Sequence, residues 1–150
     1  MRRCEIIVLV PTVYVETTIV SYLTARPSRD VVLAGHQTLT RNWWRGRTAY
    51  QLVVSQLVLD EAAAGDRFLR TRRLEALSGI PIVPLTDSAT VDAFHIGIAA
   101  AHHVAFLLTW NCKHLANATM RSTIEAVCRS EGLNPPIICT PEELPAGRTS

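Results

Sequence analysis

Glycine is scarce, and absent where a phosphate-binding loop would need it. Seven glycines are spread over 150 residues, and the first apolar region runs out in Glu16-Thr17-Thr18 with no G-x-G-x-x-G behind it. That disfavours a dinucleotide-binding turn, because a carboxylate stands where phosphate would sit. The four cysteines, Cys4, Cys112, Cys128 and Cys139, never form a C-x-x-C pair, so neither a paired-thiolate zinc site nor a disulfide framework is indicated, and free thiols in a reducing cytoplasm are expected. Long hydrophobic runs are missing too. The longest candidate near the start, Ile6 to Val10, is cut by Pro11 and followed by Glu16, short of the roughly 20 residues of a membrane span and unlike a signal peptide. Charge of one sign is also lacking: the net value is +2, too near neutral to identify a nucleic-acid partner.

What the chain does have is apolar material. Hydrophobic residues make up 48% and charged ones 19%, which suits one globular domain, residues 1–150, with a substantial core. Short β-branched runs alternate with helical periodicity. Strands are expected at Val13 to Val15, Tyr50 to Val54, Ile80 to Val83, Phe106 to Leu108 and Ile137 to Cys139. Helices are expected between them: Ile19 to Ala25 capped by Thr17 and Thr18, one capped by Asp30, one capped by Ser55, one carrying Phe68 to Leu77, one opened by Asp92, and one from Thr119 to Glu131 stopped by Gly132. Strands separated by helices predict a mainly parallel sheet covered on both faces, a three-layer α/β/α domain.

In such a sheet, ligands gather beyond the carboxyl ends of the strands. Glu16 ends the first strand there, and Asp92 opens a helix, where a carboxylate suits free backbone N–H groups. Glu61 shares a helix face with Leu57, Val58 and Ala62, and an inward carboxylate is costly unless compensated. Carboxylates converging at one edge repel unless a divalent cation neutralises them, and oxygen-only ligands favour Mg²⁺ or Mn²⁺ over zinc. The chemistry suggested is metal-dependent hydrolysis of a phosphodiester.

Four stretches in order, Val15-Glu16-Thr17-Thr18, Leu57-Val58-Leu59-Asp60-Glu61, Asp92-Ala93-Phe94-His95-Ile96 and Leu108-Thr109-Trp110-Asn111-Cys112-Lys113-His114-Leu115, resemble the ordered motifs of PIN-domain proteins, which include the VapC-type toxins. The resemblance covers nearly the whole chain. It implies a PIN-like fold and a ribonuclease, with Glu16, Glu61 and Asp92 as ligands of Mg²⁺ or Mn²⁺ and Asn111 as a fourth site residue. It further implies RNA as substrate, a cognate antitoxin protein and a homodimer. The sequence departs from the pattern in three places. Glu16 stands where Asp is commoner, Asn111 where many members carry another Asp, and the segment Thr86 to Val91 is shorter than its usual counterpart.

Blander readings stand beside these. His95, one turn after Asp92 on an apolar helix, reads as a packed, hydrogen-bonded core histidine before a ligand. Cys112 with His114 lacks the paired spacing of a zinc site. Arg41, Trp43, Trp44, Arg45 and Arg47 suit contacts with single-stranded RNA, but read slightly better as an ordinary helix end. Arg67, Arg70, Arg72 and Arg73 read as a solvated face. The rival function is a PIN-like module that binds RNA or protein without cutting.

Overall fold

Parallel strands must all return to the same starting edge, and in this chain helices make every return. The computed structural model describes residues 10–84, 91–111 and 118–147, without the side chains of 91–94 and 118–120. Among these lie β1 (Thr12–Val15), α1 (Thr17–Thr24), α2 (Val31–Arg45), a 3-10 turn (Arg47–Ala49), β2 (Gln51–Ser55), α3 (Gln56–Ala62), α4 (Arg67–Leu77), β3 (Ile82–Val83), α5 (Val91–Ala101), β4 (Phe106–Leu108), α6 (Ala118–Ser130) and β5 (Ile137–Cys139). The sheet is wholly parallel in the order β3-β2-β1-β4-β5. It is the PIN-like three-layer α/β/α arrangement that the sequence leads one to expect.

That strand order locates the site. From β1 the chain steps outward to β2 and β3, then crosses back to β4 and continues to β5 on the other side. Right-handed crossovers in opposite directions put their helices on opposite faces. Accordingly α1 packs with α2, α3 and α4, whereas α5 packs with α6. The direction reverses between β1 and β4, which opens a crevice at their carboxyl ends. Glu16 lies directly beyond β1, and Thr109 to Asn111 lie directly beyond β4.

The core forms because the two central strands are apolar on both faces. Val13, Tyr14, Val15, Leu107 and Leu108 are fully buried, joined by Ile19, Val20, Val54, Val58 and Ile98 from the flanking elements. Each such aliphatic side chain contributes about 1.5–3 kcal/mol by leaving water. Trp43 of α2 is buried as well and stacks on Tyr50, with ring centroids 5.7 Å apart. Late in the chain, the Gly147 N–H donates to the Gly46 carbonyl at 3.2 Å, and the Tyr50 hydroxyl donates to the Pro145 carbonyl. A methyl group on Gly46 would stand 2.5 Å from the Gly147 oxygen, so only glycine permits this approach.

Several boundaries move from their expected positions. Thr17 and Thr18 lie inside α1, whose N-cap is Glu16 itself: its carboxylate accepts the Thr18 N–H at 3.0 Å. Asp66 caps α4 by accepting from Phe68 N–H and Leu69 N–H. Thr119 is the second residue of α6, and Asp92 the second of α5. The opening run Ile6 to Leu9 and the shortened segment, apart from Val91, lie outside the described residues. Asp30 and Ser55 cap as expected, accepting from Leu33 N–H at 2.9 Å and Val58 N–H at 3.4 Å.

Cys128 and Cys139 are free and buried. Burial, aided by the nearby Glu143 carboxylate and opposed by Arg121, pushes the Cys139 thiol up to about 12 from an ordinary 9.0. Between those values the folded chain keeps a proton that the unfolded chain has released, so stability falls as pH rises. Urea unfolding of wild type should therefore weaken from pH 8 to pH 10.5, and Cys139→Ala should flatten part of that slope. Parallel slopes for the two proteins would show that this thiol does not contribute.

Candidate metal centre

Three side chains from three separate elements meet at the crevice. Glu16 precedes α1, Glu61 lies in the last turn of α3, and His95 lies one turn into α5. Their ligand-capable atoms all fall within 4.8 Å of one another. Parallel pairing explains the meeting of the first two, since Tyr14 pairs with Val53 and both chains then turn into helices at the same edge. The third arrives because α5 runs antiparallel to β4, so its start lies at the edge where β4 ends.

Glu16 is only 5% exposed. One oxygen, Oε2, accepts from Thr18 N–H, from the Thr18 hydroxyl and from the Thr109 hydroxyl at 2.8 Å. Each of those hydroxyls accepts in turn: Thr18 Oγ1 from Trp110 N–H at 2.8 Å, and Thr109 Oγ1 from Asn111 N–H at 2.9 Å. The start of α1 and the turn after β4 are thus tied together through one carboxylate oxygen. Glu61 is held at both oxygens, Oε2 by the Thr17 hydroxyl and Oε1 by His95 Nε2 at 3.3 Å.

His95 is buried, 5% exposed, as expected of a core histidine. What the sequence did not reveal is its company. Its Nδ1 lies 2.7 Å from the Tyr14 hydroxyl, which lies 2.6 Å from Ser55 Oγ. A buried chain of polar atoms therefore leads from the cap of α3 through β1 and α5 back to Glu61. Burial, first among the causes, with the Glu16 and Glu61 charges behind it, raises the Tyr14 phenol well above its usual range, so it stays protonated.

Of the four site residues expected, the structure brings Glu16 and Glu61 together. It puts the backbone of Asp92 in the first turn of α5, three residues ahead of His95; its side chain lies outside the description. Asn111 sits beyond β4 with its N–H on Thr109. Cys112 and His114 lie outside the described residues. The arginine and tryptophan group is largely occupied within the fold: Trp43 is core, Arg41 donates to the Ala25 carbonyl, and Arg47 donates to the Trp44 carbonyl with its guanidinium 4.7 Å from the Trp44 ring. On α4, Arg73 reaches back to the Ala62 and Ala64 carbonyls, while Arg67, Arg70 and Arg72 are exposed.

Fold and cluster together describe an α/β protein with two carboxylates and an imidazole at its topological switch point. The chain matches no protein-family model, and no curated protein matches it significantly.

Thr109 is fully buried, and valine has nearly its shape. Thr109→Val should destabilise the protein by about 1–3 kcal/mol, the cost of leaving Asn111 N–H and Glu16 one partner short. Equilibrium urea unfolding measures it. A change below about 0.5 kcal/mol would show that the hydroxyl does not hold the turn.

Proposed function

We propose that this chain is a PIN-like, metal-dependent ribonuclease in which Glu16, Glu61 and Asp92 hold Mg²⁺ or Mn²⁺ and Asn111 assists. The observation that carries this reading is a pair of charges left uncompensated among the described residues. Two carboxylates within 4.8 Å of one another repel by on the order of 3–4 kcal/mol at an effective dielectric near 20. Yet among the described residues no lysine or arginine forms an ion pair with either. Among the described residues only neutral donors reach Glu16, and they crowd onto one oxygen. Its other oxygen has no hydrogen bond among the described residues. A hard cation bound by carboxylate oxygens fits that donor set.

When bound, such a cation supplies Lewis-acid activation of water and neutralises charge on the phosphate under attack. The chain's own contribution is rigidity. Thr18 and Thr109 fix the rotamer of Glu16, Thr17 and His95 fix that of Glu61, and α5 sets Asp92 at the same edge of the sheet. Preorganised ligands lose little conformational freedom on binding.

The same reading makes RNA the substrate, a cognate antitoxin and a second copy the protein partners, and the cytoplasm the location. Among the described residues no helix is long and apolar enough to cross a membrane. Val31, 85% exposed, with Val32 and Leu33 beside it at the start of α2, offers apolar surface to a protein partner. The rival, a non-catalytic module binding RNA or protein, draws support from one fact: both oxygens of Glu61 are already engaged internally.

Cleavage of a fluorogenic RNA by wild type should require Mg²⁺ or Mn²⁺ and stop with chelator. Glu61→Gln and Asp92→Asn should each lower it more than about 100-fold with the fold intact by circular dichroism, a loss of roughly 2.7 kcal/mol or more in barrier stabilisation. Chelator-insensitive RNA binding without cleavage would favour the module, and full activity in both variants would reject the acid assignment.

A further inference from the structure

The cluster leaves His95 with two available roles, cation ligand or hydrogen-bond donor, and proton accounting separates them. A neutral imidazole has one N–H and one lone pair, while a serine or tyrosine hydroxyl has one proton to give. Four polar atoms must share those protons along the chain: Ser55 Oγ, Tyr14 Oη, and the two ring nitrogens of His95. At one end, Ser55 Oγ accepts from Val58 N–H. At the other, Glu61 Oε1 can only accept when ionised.

Run in one direction, the chain closes. Ser55 donates to Tyr14, Tyr14 donates to Nδ1, and Nε2–H donates to Glu61, so every proton has an acceptor. Run in reverse, Nδ1–H donates to Tyr14 and Tyr14 to Ser55. The Ser55 proton then has no acceptor among the described residues, although Ser55 is fully buried. The lone pair on Nε2 would also face a carboxylate oxygen at 3.3 Å. Coordination through Nε2 requires this reversed arrangement, and so carries the cost of an orphaned buried hydroxyl proton.

We propose that His95 is a positioning residue: Ser55 and Tyr14 lock it as the Nε2–H tautomer, and it holds the Glu61 carboxylate in place for the cation without binding the cation itself. The proposal rests on the metal reading above. It has a chemical consequence, because a site without nitrogen ligation keeps the preference of carboxylates for Mg²⁺ and Mn²⁺ over zinc or nickel. Tyr14, buried in the central strand, supports the metal centre through His95 and Glu61 in turn.

Long-range ¹H–¹⁵N spectra of the wild-type protein with ¹⁵N-labelled histidine report the tautomer directly, without any substitution. The expected result is Nε2–H at His95 in metal-free protein, unchanged when Mg²⁺ is added. An Nδ1–H ring, a doubly protonated ring, or loss of the Nε2 proton on Mg²⁺ addition would overturn the proposal. Mg²⁺ titration by calorimetry supplies the second readout. His95→Gln, which keeps an N–H donor in reach of Glu61, should bind within about threefold of wild type. His95→Ala and Tyr14→Phe should weaken binding roughly 10- to 100-fold, the usual scale for residues that orient a metal ligand. Equal losses in His95→Gln and His95→Ala would instead indicate ligation and refute the positioning role. A wild-type protein with the Nε2–H tautomer but no affinity for Mg²⁺ would overturn the metal reading, and the inference with it, through a failure distinct from a wrong tautomer.

Discussion

A single buried carboxylate oxygen holds the two halves of this fold together. Glu16 Oε2 caps α1 through Thr18 N–H and receives the hydroxyls of Thr18 and Thr109. Those hydroxyls in turn fix the backbone after β4 through Trp110 N–H and Asn111 N–H. A glutamate in this environment cannot be only a charge awaiting a ligand. Charge-assisted hydrogen bonds are the stronger kind, and three of them on one atom fix the carboxylate beside Glu61 and His95. Structure and candidate chemistry thus depend on the same contact.

The strand order explains why that contact falls where it does. With β1 and β4 adjacent but serving opposite directions of travel, their carboxyl ends have no crossover helix between them. Polar residues placed there meet without having to penetrate the apolar layers on either face. The aromatic side of the crevice follows the same logic. Trp110 leaves the site to stack on His36, with centroids 4.0 Å apart, and its indole N–H donates to Thr40 at 2.7 Å. The turn after β4 is therefore anchored to α2 as well as to α1.

Much of this was legible in the residues. Alternation of β-branched runs with helical periodicity places the five strands within a residue or two, and the caps at Asp30 and Ser55 follow from side-chain chemistry. Glu61 could be read as inward from its spacing to Val58 and Ala62. The rest needed contacts between distant segments. Nothing local distinguishes Thr109 from any residue after a strand, and its role appears only when β4 lies beside β1. Glu16 displaced Thr17 and Thr18 as the cap because a longer carboxylate curls back onto its own helix, a competition that cap preferences alone do not decide. Val31 and Val32 fit the apolar pattern of α2 yet are exposed, at the start of a helix that packs on α1. Trp43 and Trp44 are neighbours of identical type, and only the packing against Tyr50 shows which is core.

The approach of Gly147 to Gly46 has a consequence for how the chain is made. The corner between α2 and β2 is complete only when residues 145–147 lie across it, donating to Gly46 and accepting from Tyr50. During synthesis that corner is therefore open while roughly a hundred later residues emerge, at some 5–20 residues per second. For several seconds the Gly46 carbonyl and the Tyr50 hydroxyl lack these partners. A ribosome-bound chain at that stage can form the helix and strand on either side of the corner but not the contacts that close it.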